Sequence, residues 1–347
     1  FMKRGLLICC LILIFTSCKQ EYIVRSIASV EIEKFDLDST SIRAIYALNK
    51  EEMIFAGSRG DIGVTDDGGK NWELQYFKYK DSITPHFRSI AKTSKSVFAL
   101  SIANPALLYR VSFGEQKIVY KEEHEKVFYD AMTFLDDKTG IAIGDPIDGC
   151  TSIIMTHDGG NTWKKIDCSK LPKVNEGEAS FAASNTNIAT YKDNIWVVTG
   201  GVKARVLKSS DKGATWKIIE TPIIQGDGPQ GIYSVDFYNE KIGIVVGGNF
   251  SKPNENIANK AITTDGGETW QLVADGKSPN YKSCVQYIPG TNGKEVIAVG
   301  KTGVSFSNDG GKNWKDISTD GYYSIQFVDS NTAWLSGHQK IGKLTLK

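Results

Sequence analysis

An eight-residue pattern recurs five times along this chain and constrains its fold more than any other feature. Its form is [Ser/Thr]-x-Asp-x-Gly-x-[Thr/Asn]-Trp, and five of the seven tryptophans stand at its last position. These tryptophans are 91, 53, 54 and 44 residues apart, so the first gap holds two units, one of which lacks the pattern. A period of about 40–55 residues is typical of stacked repeats or propeller blades. The copies are TDDGGKNW (65–72), THDGGNTW (156–163), SSDKGATW (209–216), TTDGGETW (263–270) and SNDGGKNW (307–314).

Each unit has the pattern of four short strands. An alternating segment such as YSVDFYNEK (233–241) precedes a glycine-rich apolar one such as GIVVGG (243–248), and one strand flanks each side of the octet. Period-two alternation with β-branched residues predicts strands, and Asp-Gly-Gly predicts the hairpin turn between them. LLYRVSFGEQKIVY (107–120) fills the unit without an octet with a strand, a turn and a strand.

The units predict an all-β, seven-bladed β-propeller formed by residues 28–347 as a single domain. The last unit, 321–347, offers three strands, and IASVEIEKF (28–36) is a strand without a unit. Joining the two would close the ring in a velcro closure by the N-terminal strand and leave no free edge at the junction. Six blades is the alternative. We expect the propeller to be a monomer.

The octet resembles the Asp-box, or BNR repeat, and each of its positions has a structural role. The aspartate can accept hydrogen bonds from the turn, glycine permits positive φ, and the indole suits a wedge between blades. His157 stands at a position that other copies fill with Asp66, Ser210, Thr264 and Asn308, so we expect no chemistry from it. The expected structural residues are Asp67, Trp72, Asp158, Trp163, Asp211, Trp216, Asp265, Trp270, Asp309 and Trp314.

The second octet also suggests a disulfide. Thr156 and Thr162 flank its turn symmetrically, and Cys150 and Cys168 have the same sum of residue numbers. That register would set the two cysteines opposite each other across a hairpin, at a spacing that suits a disulfide. Two free thiols is the alternative.

The N-terminus has the features of a targeting segment. Lys3 and Arg4 precede the apolar run LLICCLILIF (6–15), which is too short for a comfortable membrane span. FTSCK (15–19) resembles a bacterial lipobox, although Phe15 replaces the usual leucine. We therefore expect a lipoprotein signal peptide at 1–17, lipidation at Cys18, a tether at 18–27, and a lipid anchor in the cell envelope, on the periplasmic or outer-membrane face. A plain secreted protein is the alternative.

Composition and motifs exclude several functions. A formal net charge of +1 without a basic stripe gives no electrostatic case for nucleic acid. We find no metal-ligand spacing and no cofactor motif, and expect neither a metal nor a cofactor. Asp-box propellers include sialidases, but no arginine follows Arg205, whereas a sialidase needs arginines spread around the ring.

A narrower resemblance covers the whole chain after the targeting segment. The runs GIAIGDPIDG (140–149), EGEASFAAS (176–184), GGVKARVLKS (200–209) and VVGGNF (245–250) look like bacterial relatives of the photosystem II stability/assembly-factor propellers, a WD40/YVTN-like class. The resemblance implies a propeller with a scaffold role in assembly. Some relatives are labelled oxidoreductases, for which this sequence offers no cofactor motif.

These runs begin the innermost strands or follow the second strands, so both should reach one end of the channel. We expect this mouth to bind a protein partner or a polar ligand such as a glycan, as a non-catalytic scaffold. The alternatives are a glycan-directed hydrolase that uses carboxylates among Asp145, Asp148, Glu176 and Glu178, or an oxidoreductase. The candidate ligand-binding residues are Arg88, Tyr129, Asp130, Asp145, Asp148, Glu176, Glu178, Ser180, Arg205, Tyr233, Ser234, Asn249, Tyr281, Lys282 and His338.

Overall fold

The structure, a computed structural model, describes residues 22–112 and 114–347. This part of the chain consists of β-strands and one short 3₁₀ helix, Cys168–Lys170, so the predicted all-β class is confirmed. No helix within it has the length and apolar character needed to cross a membrane. The expected signal peptide at 1–17 and the expected lipidation site Cys18 lie outside the described residues.

Neighbouring strands within each sheet are antiparallel, because short turns connect them. In the first half they are β1 (Val30–Ala47), β2 (Met53–Gly57), β3 (Asp61–Thr65), β4 (Glu73–Tyr76), β5 (Phe87–Lys92), β6 (Val97–Ser101), β7 (Ala106–Ser112), β8 (Glu115–Glu122), β9 (Tyr129–Phe134), β10 (Gly140–Ile147), β11 (Cys150–Thr156) and β12 (Lys164–Lys165). In the second half they are β13 (Glu178–Ala179), β14 (Ile188–Tyr191), β15 (Asn194–Val198), β16 (Gly200–Gly201), β17 (Arg205–Ser209), β18 (Lys217–Glu220), β19 (Gln230–Phe237), β20 (Gly243–Asn249), β21 (Lys260–Thr263), β22 (Gln271–Leu272), β23 (Cys284–Tyr287), β24 (Val296–Gly300), β25 (Gly303–Ser307), β26 (Lys315–Ser318), β27 (Ser324–Phe327) and β28 (Thr332–Leu346).

These strands form a β-propeller of six blades, where each hydrogen-bonded sheet is counted as one blade. The expectation of seven blades is therefore wrong, and the alternative of six is observed. Four sheets have four strands each: β5–β8, β9–β12, β14-β15-β17-β18 and β23–β26. A fifth has the order β13-β16-β19-β20-β21-β22, and the sixth has the order β27-β28-β1-β2-β3-β4.

The count differs from the prediction because β1 is longer than expected. Its first half pairs with β28 from Val30 opposite Leu346 to Asp36 opposite Lys340, and its second half pairs with β2. One continuous strand therefore joins the first and last units in a single sheet, where the sequence suggested two. The expected pairing of the N-terminal strand with the last unit is present, and it closes the ring.

The core lies between neighbouring blades. Apolar residues of adjacent sheets form mixed clusters, because each sheet can bury a face only against the next one. Trp163 shows how an octet contributes: its indole packs against Phe98 of the preceding blade, with ring centroids 6.2 Å apart. Gly160 lets the turn approach the same ring, since a Cβ there would lie 2.3 Å from Phe98.

The octets act as turn fasteners, as their composition predicts. In the fourth copy, Asp265 accepts hydrogen bonds from the Thr263 hydroxyl (2.7 Å), the Thr269 hydroxyl (2.6 Å) and the Thr269 N–H (3.0 Å). Trp72, Trp216 and Trp314 each donate to a glycine carbonyl three residues earlier. All five octets link the last two strands at the outer edge of a sheet, away from the channel.

The structure joins Cys150 and Cys168 in a disulfide with a Cα–Cα distance of 5.7 Å. The pairing register differs from the predicted one by a residue, since Ile154 lies opposite Lys165. Cys168 lies beyond the end of β12, in the 3₁₀ helix that Asp167 caps. The disulfide therefore ties this helix to β11, where the sequence suggested two facing strands.

Candidate functional site

A segment of the chain crosses the middle of the channel. Residues 180–186, here called the crossing segment, run from the short strand β13 to the start of β14. The Asn185 amide donates to the carbonyl of Ile90 (2.9 Å) and accepts from the N–H of Met132 (2.9 Å). On the other side, the Ser184 hydroxyl donates to the carbonyl of Ser283 (2.7 Å). The segment is thereby bonded to inner strands from several blades.

The crossing segment divides the channel into two cavities. One, of about 360 Å³, lies at the end where the inner strands begin. The other, of about 230 Å³, lies at the opposite end, lined by residues of 186–190 and by the ends of the inner strands. The first cavity, here called the mouth pocket, has the size of a small-ligand site. It is lined by Arg43, Arg88, Phe128, Asp145, Ala179, Ser180, Phe181, Ala182, Ala183, Tyr233, Phe250 and Tyr281.

Two arginines form one side of the mouth pocket. Arg43 donates to the carbonyl of Ala183 (3.2 Å) and Arg88 to that of Ala182 (3.1 Å), so the crossing segment holds both guanidinium groups. Neither is among the ion pairs of the described chain, whereas Arg25 and Arg205 are. Burial and the neighbouring Arg43 lower the pKa of Arg88 to about 10, which leaves it protonated at neutral pH. The pocket wall thus carries two adjacent positive charges.

Aromatic side chains form the other side. The rings of Phe181 and Tyr233 stack with centroids 4.1 Å apart, and Tyr281 meets Tyr233 edge-on at 4.8 Å. Phe250 is 46% exposed and completes the row at 5.8 Å from Tyr281. The Lys301 ammonium lies 3.8 Å from the Phe250 ring centroid and donates to the Phe250 carbonyl (2.6 Å). This wall is fixed in position and open to an apolar group.

Two carboxyl groups lie near the arginines. Burial raises the pKa of Asp145 to about 6, although its carboxylate accepts from the Ser180 N–H (2.9 Å). Asp130 is completely buried, and burial together with Asp145 raises its pKa well above the usual value. At pH 7 Asp145 carries a negative charge in the pocket. His86 is neutral there, because burial and the arginines lower its pKa to about 4.

Some polar atoms of the wall are left without a partner. Arg43 Nε and Ser180 Oγ are buried, and neither has a hydrogen-bond partner among residues 22–112 and 114–347. Buried polar groups in proteins are almost always satisfied, so these two atoms mark positions for water or a polar ligand.

Five of the residues proposed from sequence line the mouth pocket: Arg88, Asp145, Ser180, Tyr233 and Tyr281. The others lie elsewhere or serve the fold. Tyr129 donates to Glu122 (2.7 Å) within the blade core, and Lys282 donates to the carbonyl of Gly303 (3.0 Å). Ser234 bonds the crossing segment through Thr186 (2.7 Å), while Asn249 accepts from Ser251 N–H (2.9 Å). Asp148, Glu176 and His338 are exposed.

The carboxylates proposed for hydrolysis do not converge. Glu178 and Arg205 form a buried ion pair, with Nη2–Oε2 at 2.5 Å and Nε–Oε1 at 3.1 Å, and Thr199 donates to the same carboxylate. Of the four acids named from sequence, Asp145 is the one that lines the mouth pocket. A glycoside hydrolase needs two carboxyl groups facing one scissile bond. In the described residues no cluster of His, Cys, Asp or Glu could hold a metal ion either.

The sequence reasoning missed Arg43, Phe250 and the crossing segment. Arg43 in SIRAI (41–45) lies where β1 starts to pair with β2, and Arg88 in FRSIA (87–91) lies at the corresponding start of β5, so aligning the two units could have found it. Phe250 follows a strand end and has no counterpart in the other units. The crossing segment has no repeat signal, because it replaces the regular entry into an inner strand.

A larger depression of about 650 Å³ lies on the outer rim, between the octets at 156–163 and 209–216. Four of its charged groups already have partners: Asp158 and Asp211 hold their turns, Lys165 pairs with Glu122, and Lys212 pairs with Asp136. Its geometry follows from two adjacent turn fasteners, so we do not treat it as the functional site.

Comparison with known proteins supports the repeat and the fold. The family model described as BNR/Asp-box repeat matches residues 261–272. No curated protein sequence matches the chain significantly.

Solved structures of the same fold include two of YCF48. One, titled "YCF48 bound to D1 peptide", has a TM-score of 0.66 at 15% identity and covers 93% of this chain and 100% of that chain. YCF48 from Cyanidioschyzon merolae has a TM-score of 0.64 at 16% identity, covering 90% and 98%. Virginiamycin B lyase from Staphylococcus aureus scores 0.60 at 15% identity, covering 92% and 100%. At these identities the similarity extends to the fold alone, and it gives no support to an oxidoreductase assignment.

Proposed function

We propose that this chain is a non-catalytic binding protein whose mouth pocket takes a peptide segment of a protein partner. The observation that carries the proposal is the pair Arg43 and Arg88, which are adjacent, largely buried and face the mouth pocket. Neither arginine has an ion-pair partner in the described chain. Charges held in a poorly solvated place are costly unless a counter-charge approaches. A carboxylate of the ligand would supply that charge.

The rest of the pocket indicates the neighbouring chemistry of the ligand. The row of Phe181, Tyr233, Tyr281 and Phe250 is preformed; Tyr233 and Tyr281 are buried, and Phe250 is 46% exposed. The accessible part of this row favours an apolar or aromatic side chain beside the carboxylate. Ala182 and Ala183 offer backbone at the base of the pocket. An acidic residue next to an apolar one therefore fits better than a neutral glycan.

The comparisons support a peptide as the ligand class. YCF48, a propeller of similar fold, has been solved bound to D1 peptide. Since that similarity is at 15% identity, the identity of its partner is not carried over to this chain. We propose that the chain acts as an assembly or scaffold factor for a protein partner.

We further propose that the chain acts in the bacterial envelope as a lipoprotein. The basic start, the apolar run at 6–15 and the lipobox-like FTSCK support export and lipidation at Cys18. The disulfide between Cys150 and Cys168 agrees with an oxidising compartment.

A peptide display selection tests the binding proposal. The propeller from residue 22 onwards is the bait for a library of random twelve-residue peptides. We expect enrichment of sequences with an Asp or Glu beside an aromatic or large apolar residue. The double variant Arg43→Gln, Arg88→Gln should not enrich them, whereas the control Arg59→Gln, an exposed arginine near Tyr76 on an outer strand, should. Equal enrichment by the double variant would refute the proposal.

A further inference from the structure

The residues that lead into the propeller are docked on it at a defined place. Arg25 forms an ion pair with Glu295, whose side chain is fully buried, with Nη2–Oε2 at 2.5 Å and Nε–Oε2 at 2.9 Å. The same guanidinium donates to the carbonyl of Ser330 (2.7 Å), and Tyr22 donates to Glu295. Residues 22–29 are here called the docked segment.

Further contacts hold the docked segment from both sides. The Asn308 amide donates to the carbonyl of Arg25 (3.1 Å), and Ile27 is 8% exposed in the core between the last two blades. The N–H of Ala28 donates to the carbonyl of Lys347 (3.2 Å). A buried carboxylate that accepts several charge-assisted bonds fixes its partner strongly, so the chain leaves the propeller at one place.

That place lies at the end of the propeller opposite the mouth pocket. β27 begins beside Tyr323, whose ring lies 4.0 Å from the Arg43 guanidinium, and runs to Phe327, after which Ser330 follows. β24 runs in the opposite direction: it starts directly after Glu295 and ends at Gly300. The carbonyl of Gly300 accepts a hydrogen bond from the N–H of Tyr322, at the mouth-pocket end of the propeller. A strand of five residues spans about 17 Å. Arg25 and the arginines of the mouth pocket are thus on opposite faces.

The surface around the docked segment offers apolar groups to its surroundings. Ile23 is 86% exposed and Val24 is 41% exposed, and Pro289, Gly290 and Ser330 border them. Tyr22 is the fourth residue after Cys18, a reach of at most about 14 Å in extended chain. A lipid attached at Cys18 would therefore hold a membrane against this face.

We propose that the face formed by Tyr22, Ile23, Pro289, Gly290 and Ser330 lies against a lipid bilayer, so that the mouth pocket opens away from the membrane. The inference rests on the proposed lipid anchor at Cys18. The binding partner of this face is a lipid surface, because its exposed apolar side chains lie within reach of a lipid attached at Cys18. The ligand of the mouth pocket would then come from the aqueous compartment or from the projecting part of a membrane protein.

Lipid quenching of a site-specific fluorophore tests the orientation. The mature, lipidated chain, which begins at Cys18, is reconstituted into phosphatidylethanolamine–phosphatidylglycerol vesicles that carry a nitroxide near the headgroup. Bimane is attached at Ser330→Cys on the proposed membrane face or at Asp227→Cys, an exposed position before β19 at the pocket end. We expect at least twofold stronger quenching at position 330. Glu295→Gln should reduce the difference between the two positions by loosening the docked segment.

The outcomes separate the anchor from the orientation. If the mature, lipidated chain does not float with the vesicles, the proposed anchor fails and the orientation falls with it. If it floats but position 227 is quenched as strongly as position 330, the anchor stands and the orientation is overturned. Quenching at position 330 that is insensitive to Glu295→Gln would overturn the role of the docked segment in setting the orientation.

Discussion

At the scale of single residues, side chains that look chemically reactive in the sequence turn out to have structural roles. His157 and Asp158 look like a site in sequence, yet Asp158 holds a turn and His157 occupies a free position of the octet. Arg205 and Glu178 look like pocket residues, yet they neutralise each other in a buried ion pair between two sheets. Sequence predicted the role of the repeated residues because their repetition shows which positions vary. It could not pair Glu178 with Arg205, since that contact depends on the path of β13 and β17.

Asp145 should make ligand binding depend on pH. Its pKa of about 6 means that it gains a negative charge as pH rises from 5 to 7.5, beside Arg43 and Arg88. His86, whose pKa is about 4, stays neutral over this range. An acidic peptide should therefore bind about fivefold more weakly at pH 7.5 than at pH 5, for an electrostatic change of about 1 kcal/mol.

Fluorescence anisotropy at constant ionic strength measures this dependence. The variant Asp145→Asn should bind with little change over the same range and more tightly than the natural chain at pH 7.5. Parallel pH profiles for the two proteins would show that Asp145 does not oppose the ligand.

At the scale of elements, the octets are the most predictable part of the molecule. Their strands, turns and side-chain bonds follow from local chemistry, and the unit without an octet still forms β5–β8 as expected. The register after THDGGNTW was a residue off, because the turn and the 3₁₀ helix set it and symmetry of the sequence does not. The crossing segment could not be predicted, since its hydrogen bonds go to strands far away in sequence.

An octet aspartate should stabilise the fold in a pH-dependent way. Asp265 is mostly exposed; burial raises its pKa, but bonds from Thr269 outweigh this and bring it to about 2. Because the folded-state pKa lies below the unfolded value, the stabilisation is present above about pH 4 and is lost as pH falls towards 2. Asp265→Ala should lower the free energy of unfolding by about 2 kcal/mol at pH 7.

Urea denaturation at pH 7 and pH 2.5 measures both effects. Thr264→Ala, at the exposed free position of the same octet, is the matched control and should cost less than about 0.5 kcal/mol. A loss for Asp265→Ala that stays constant down to pH 2.5 would contradict an ionised carboxylate as the turn acceptor.

The disulfide should contribute to stability through the loop it closes. Cys150 and Cys168 are 18 residues apart, and closing such a loop restricts the unfolded chain by about 3 kcal/mol. The double variant Cys150→Ser, Cys168→Ser should have a lower denaturation midpoint, and dithiothreitol should shift the natural protein towards it. An effect of dithiothreitol on the double variant itself would assign the shift to another cause.

At the scale of the whole molecule, the ring closes because the first strand, β1, pairs with the last strand, β28. The sequence predicted a propeller closed by the N-terminal strand, and the pairing of β1 with β28 is present. It predicted seven blades because it counted repeats, whereas β1 joins the first and last units in one sheet. Repeat counting finds units, but it cannot find which units share a strand.

Removing the closing strand should expose the edge of β28. A chain that begins at residue 37 lacks the pairing of Val30–Asp36 with β28 and the docked segment, and an exposed edge strand promotes association. We expect a lower unfolding temperature and dimers or larger species in light scattering, against a monomeric control that begins at residue 22. A monomeric truncated chain of unchanged stability would contradict the role given to this closure.

The central claim is that Arg43 and Arg88 bind a carboxylate of a peptide ligand, and a double-mutant cycle tests it most directly. Calorimetric titration compares the selected peptide with its Asp→Asn or Glu→Gln form, against the natural propeller, the Arg43→Gln, Arg88→Gln variant and the Arg59→Gln control. We predict that either change weakens binding at least tenfold, since charge-assisted bonds contribute about 1.5–3 kcal/mol, and that the losses are not additive. Additive losses, or unchanged affinity for the double variant, would contradict the claim.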